Sequence, residues 1–113
     1  MIIAMTRTVS TFLALVVAAC TSGVGFDGPV VGGPCAYNAD CEFRCATDGD
    51  FPQGTCIKPC NTDDDCPDTT FCINKDGGIC LLGCEVPSDC RGGYTCKGKE
   101  NRGHGGESLV CIE

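Results

Sequence analysis

The sequence predicts a small disulfide-rich fold: three tandem four-cysteine knots, mostly loop with short β-hairpins, after a cleaved signal helix and a flexible tether. Three observations lead there. Twelve of the thirteen cysteines lie between Cys35 and Cys111 in three groups of four. The thirteenth, Cys20, closes a short apolar run near the start. Large apolar residues are scarce from 35 to 113, with three phenylalanines, two tyrosines and no tryptophan, so burial alone is a weak source of stability for units this small.

The groups are Cys35, Cys41, Cys45, Cys56; then Cys60, Cys66, Cys72, Cys80; then Cys84, Cys90, Cys96, Cys111. Laid over one another they form an internal repeat of about 24 residues. In each, five residues separate the first two cysteines, and the last of the five is an aspartate: Asp40, Asp65 or Asp89. An aliphatic residue follows each fourth cysteine: Ile57, Leu81 or Ile112. The first two groups also share a glycine two residues before the fourth cysteine, Gly54 and Gly78. The chain thus divides into a signal (1–19), a cysteine with a glycine-rich tether (20–34), and cysteine-rich units at 35–59, 60–83 and 84–113.

Within the signal, Arg7 is the only charge before the apolar run Val9–Ala19. As a helix that run covers roughly 16 Å, short of a hydrocarbon core of about 30 Å, so it reads as a signal core rather than a span. Met5 offers a second start that leaves the mature chain unchanged. The junction Val17-Ala18-Ala19-Cys20 resembles the lipobox of bacterial lipoproteins. That resemblance implies cleavage before Cys20, a diacylglycerol on its sulfur and fatty acid of the palmitate class on its new amino group. Three such chains with about fifteen buried methylenes each contribute on the order of 30 kcal/mol, a permanent anchor. Cysteine parity points the same way, because thirteen cannot all pair and assigning Cys20 to lipid leaves twelve. Thr21 stands where some inner-membrane lipoproteins carry aspartate, which by the same resemblance favours the outer membrane.

Residues 21–34 (TSGVGFDGPVVGGP) show neither helical nor strand periodicity and read as a tether, with a reach of roughly 20 Å. An edge strand at Val30 and Val31 is the alternative, bracketed by Gly and Pro.

For the twelve remaining cysteines, disulfides are the available staple, each closing a loop of about 15 residues and contributing about 3 kcal/mol in the chain-entropy model. Four cysteines allow three pairings, and spacing does not choose among them. We favour first with third and second with fourth, because interleaved bridges tie both loops of a unit together; bridges between units stay open. Zinc is the rival, but its usual C-x2-C and C-x4-C knuckles are missing and His104 is the only histidine. No metal or other cofactor is expected.

The stretch CNTDDDCPDTTFC, Cys60 to Cys72, resembles the N-terminal cysteine-rich module of Dickkopf-type secreted proteins, and CEVPSDCRGGYTC in the third unit shares the pattern. The same stretch resembles, more loosely, half of the whey acidic protein four-disulfide core, although the adjacent cysteine pair of that family is missing. Both resemblances imply a binding or spacer module and transfer no ligand.

Among chemistry-bearing residues, Asp63, Asp64, Asp65 and Asp68 do not fit a calcium loop: counting from Asn61, the required glycine and final carboxylate fall on Cys66 and Cys72. A solvated turn is the better reading, with Asp65, Asp40 and Asp89 accepting backbone hydrogen bonds. His104, Glu107 and Ser108 lie in KGKENRGHGGESLV (97–110), where glycines at 103, 105 and 106 suggest a mobile, variable loop rather than a catalytic site. No catalytic residue is assigned, and an enzyme is not expected.

From Cys20 onward seven basic side chains face fifteen acidic ones, a net charge of −8. A phosphate backbone would be repelled, which excludes nucleic acid, and attachment to a membrane falls to lipid on Cys20. The expected function is a lipid-anchored, exported, non-catalytic binding or structural module at the bacterial cell envelope, its partner a protein or other surface ligand. The alternative is a small exported protease inhibitor presenting loop 46–55 or 97–110.

Overall fold

A 3-10 turn followed by a β-hairpin is the plan of every unit in the computed structural model, which describes residues 23–113. The expected signal over 1–19 and the lipid on Cys20 fall outside the described residues. Unit one has the turn Asn38–Asp40 and strands β1 (Arg44–Ala46) and β2 (Thr55–Pro59). Unit two repeats this with Asp63–Asp65, β3 (Thr70–Ile73) and β4 (Ile79–Leu82), and unit three with Pro87–Asp89, β5 (Thr95–Glu100) and β6 (Glu107–Ile112). Among the described residues no helix is long and apolar enough to cross a membrane.

Six disulfides join Cys35 to Cys45, Cys41 to Cys56, Cys60 to Cys72, Cys66 to Cys80, Cys84 to Cys96 and Cys90 to Cys111. Every unit therefore pairs first with third and second with fourth, the interleaved pattern favoured from sequence. The hairpin register supplies the reason. The third and fourth cysteines stand directly opposite one another, as Cys45↔Cys56, Cys72↔Cys80 and Cys96↔Cys111. Cross-strand partners share a face of the sheet. Both therefore project toward the preceding turn segment, which carries the first and second cysteines, and two bridges stitch that turn onto both strands at once. A bridge between the third and fourth would have closed only the hairpin, which its backbone hydrogen bonds already close.

The residue after each fourth cysteine points to the opposite face, since side chains alternate along a strand. Ile57, Leu81 and Ile112 are all fully buried there. With Phe51, Ile73, Ile79 and Val110 they form one hydrophobic cluster drawn from all three units. At roughly 1.5–3 kcal/mol for each fully buried large side chain, pooling matters, because a single unit holds only two or three of them.

The units are accordingly not three separate knots in a row. Lys58↔Cys80 and Pro59↔Ile79 pair β2 with β4, giving a four-stranded sheet in the order β1-β2-β4-β3. The two-stranded β5-β6 sheet joins it through the bridges Ile73↔Asn101 and Gly83↔Val110. The C-terminal Glu113 amide donates to Asp50 O at 3.0 Å, linking unit three back to unit one. Lys75 of unit two ties in the same loop, 2.9 Å from Asp50 Oδ2 and over the Phe51 ring. The residues between one group of cysteines and the next take part in this pairing: Ile57, Lys58 and Pro59 belong to β2, Leu81 and Leu82 to β4, and Gly83 bridges to Val110.

The tether expected over 20–34 is also revised for its described part. Residues 23–34 form a strap folded onto unit one. Gly32 N donates to Cys56 O at 2.9 Å and Cys56 N to Gly33 O at 2.8 Å. Cys56 lies on β2 short of the stretch that meets β4, so its second edge is open there, and the strap supplies the missing partner. Val31 is fully buried against the unit-two sulfurs of Cys60, Cys72 and Cys80. The alternative of an edge segment at Val30 and Val31 is closer to what forms: Val24 and Val31 make a parallel bridge. Glycine content misled the tether reading, because these glycines let backbones approach; a Cβ on Gly32 would lie 2.3 Å from Gly25 O.

Candidate functional site

The repeated aspartates close the three turns. Asp40 Oδ2 accepts from Ala36 N and Tyr37 N at 2.9 and 3.0 Å. Asp65 Oδ2 accepts from Asn61 N and Thr62 N at 2.8 and 3.3 Å, and Asp89 Oδ2 from Glu85 N and Val86 N at 2.9 and 3.2 Å. The turn role expected of them is present, but it runs backwards along the chain: each carboxylate reaches three and four residues toward the N-terminus, as in a capping box. These backbone hydrogen bonds hold all three carboxyls below the usual aspartate value. A folded-state value below the unfolded one stabilises the fold above the unfolded pKa, and that contribution disappears as pH falls through the folded value. Stability is therefore expected to be flat from neutral pH to about pH 5 and to decline below about pH 4. Urea unfolding at a series of pH values checks this, and Asp65→Asn should flatten the acid limb.

The loop of unit three, expected to be mobile, docks instead on the second turn. Asn101 is its buried centre. The Asn101 Nδ2 group donates to Asp63 Oδ1 at 3.0 Å and to Ser108 Oγ at 3.1 Å, while its Oδ1 accepts from Gly103 N at 2.8 Å and His104 N at 3.2 Å. Asp63 also accepts from Cys72 N at 2.8 Å, and its Oδ2 lies 3.6 Å from His104 Nε2. The acidic stretch is thus divided, with Asp63 and Asp65 engaged by backbone and side-chain donors and Asp64 and Asp68 left at the surface. Ser108 Oγ meets the Asn101 amide, and His104 Nδ1 lies 2.7 Å from Gly105 O. These contacts serve loop closure. Asn101 was not singled out from sequence, although its spacing to Gly103 is the signal of an Asx-turn.

A second polar centre joins units one and three. Arg91 Nη2 donates to Gly54 O at 2.6 Å and Thr55 Oγ1 at 2.8 Å, and the guanidinium stacks 4.8 Å over the Tyr94 ring. Tyr94 OH donates to Pro52 O at 2.9 Å. Burial pushes the Tyr94 phenol above its ordinary value, opposed by its hydrogen bond with Thr55 and by the Arg91 charge. Arg91 Nε and Nη1 are buried with no hydrogen-bond partner among the described residues. Beside them lies a narrow recess whose walls include Phe26 of the strap, Leu81, Leu82 and Tyr94.

No family model, curated protein or solved structure matches the chain.

The sulfurs of Cys35, Cys41 and Cys45 lie within 4.8 Å of one another, as do those of Cys60, Cys66 and Cys72 and those of Cys84, Cys90 and Cys111. This clustering is the crossing of two bridges in each unit. Each sulfur is bonded to another and offers no thiolate.

Among the described residues the exposed large apolar side chains are Tyr37 and Phe43 in unit one, Val86 and Leu109 in unit three, and Phe26 on the strap. Lys58 Nζ sits 5.5 Å above the Phe43 ring. A rigid framework carrying exposed aromatic groups suits contact with another surface.

Proposed function

We propose that the mature chain begins at Cys20, carries lipid there, and presents its three tandem disulfide units at the bacterial cell envelope, on the outer membrane, as a non-catalytic binding or structural module. The observation that carries this reading is parity. Six bridges account for all twelve cysteines from Cys35 to Cys111, each within its own unit. Cys20 has no cysteine left to pair with inside the chain, and it ends a VAAC junction after an apolar run. Six bridges form and persist best in an oxidising compartment, which supports export.

The non-catalytic part of the reading draws support from how the chemistry-bearing side chains are used. His104, Ser108 and Asp63 are all drawn into closing one loop. The inhibitor alternative keeps exposed loop tips at 47–49 and 102–107, with Phe51 buried beneath the first and Asn101 tying the second to Asp63; titration against a panel of proteases separates it from the binding module. The partner is a protein or other surface ligand that tolerates a charge of −8, and nucleic acid is disfavoured on that charge.

Metabolic labelling of cells expressing the full chain tests the proposal. Labelled palmitate is expected to enter the unaltered protein and not Cys20→Ala. Equal labelling of the two proteins, or none in the unaltered one, would overturn the anchor.

A further inference from the structure

The strap places an apolar surface within a few residues of Cys20. Gly23, the first residue described, already accepts backbone hydrogen bonds from Val30 N and Val31 N at 2.9 and 3.2 Å. Only Thr21 and Ser22 lie between it and Cys20, three residue steps in all. At about 3.3–3.6 Å per residue, even a fully extended chain puts Gly23 within about 10 Å of the acylated cysteine and Phe26 within about 20 Å. A fold anchored at Cys20 therefore cannot stand clear of a bilayer on a long free tether.

Phe26 is 46% exposed. Its ring helps wall the recess formed with Leu81 and Leu82, while Val24 and Val30 of the same segment are half-buried against the cluster of Val31, Cys60, Cys72 and Cys80. Charged side chains are also sparse on the strap: from 23 to 34 only Asp27 is charged, against 21 of the 79 residues from 35 to 113. The segment nearest the anchor thus exposes an apolar ring with few charged groups to desolvate against a lipid headgroup layer.

Resting on the lipid-anchor reading above, we propose that the strap around Phe26 is a membrane-contact face: its ring seats in the interfacial region of a zwitterionic bilayer and holds the three units against the surface. A chain joined at one acylated residue swivels freely. A second, apolar contact fixes which face looks outward, and so which of the other exposed aromatic groups meet a partner.

The absence of tryptophan makes a clean test possible. The full lipidated chain is prepared with one tryptophan at a time, as Phe26→Trp, Tyr37→Trp and Leu109→Trp, all at exposed positions. Intact mass first establishes lipid on Cys20 and six closed bridges. Each protein is then placed in phosphatidylcholine vesicles with and without bromine on the acyl chains. A ring seated about 5–10 Å into the headgroup and acyl boundary should lose roughly half its fluorescence to bromine, so this is expected at position 26 and not at 37 or 109. Equal quenching at the three positions, or none at 26 in a lipidated chain, overturns the membrane-contact face while leaving the anchor standing. A chain without lipid on Cys20 overturns both, and the mass shows this before any fluorescence is read.

Discussion

Gly78→Ala is expected to destabilise the protein by about 3 kcal/mol or more, whereas Gly77→Ala, its immediate neighbour, should cost only about 1 kcal/mol. Both residues have positive φ, +85° at Gly77 and +108° at Gly78, so both substitutions carry backbone strain. They differ in what a side chain would meet. A Cβ on Gly77 has nothing within 4 Å, while one on Gly78 would lie 2.1 Å from Cys60 O. That carbonyl cannot retreat easily, because Cys60 N donates to Gly78 O at 3.0 Å and Cys60 is itself bridged to Cys72. The same approach recurs in unit one, where a Cβ on Gly54 would lie 2.0 Å from Cys35 O. Urea unfolding without reductant measures the difference. Equal costs for the two alanines would mean that only the backbone angle matters and that the turn does not close on the hairpin as described.

Leu81→Ala should remove about 2–5 kcal/mol, and it should do so for the whole molecule. Leu81 is fully buried in the cluster that also takes Phe51 from unit one and Ile112 from unit three. Loss of its side chain leaves a cavity at the meeting point, so one shifted transition is expected by urea unfolding followed with far-ultraviolet circular dichroism and with tyrosine fluorescence. Leu109→Ala, at a 47% exposed position on β6, should change stability by no more than about 0.5 kcal/mol. Two separated transitions in the Leu81 variant, one at the original midpoint, would show that the units fold as independent knots.

The repeat itself was legible because each of its marks has a local cause. The aspartate before the second cysteine caps a turn, the aliphatic residue after the fourth reaches the core, and Gly54 and Gly78 admit the carbonyl of the first cysteine. Interleaved pairing is the arrangement that ties both loops of a unit to its turn. What spacing could not convey is how units meet. The β2-β4 pairing depends on Lys58 and Pro59, which carry no strand signature of their own, and proline in particular argues against a strand interior. Val31 looked like a tether residue because its neighbours are Gly and Pro; only the open edge of Cys56 makes it core. Asn101 and Arg91 were missed for a related reason. Their partners, Asp63 and Gly54, lie 38 and 37 residues away, and no periodic pattern links a single polar residue to a distant carbonyl or carboxylate.

The anchored-module account rests on the division of thirteen cysteines into one that carries lipid and twelve that are bridged. Intact mass of the protein extracted from bacterial membranes, with thiol alkylation before and after reduction, reads both halves of that division at once. The account expects a chain beginning at Cys20, heavier by its acyl groups, with no cysteine alkylated before reduction and twelve alkylated after it. A chain with an unmodified Cys20, or with several of the twelve reacting before reduction, would contradict it.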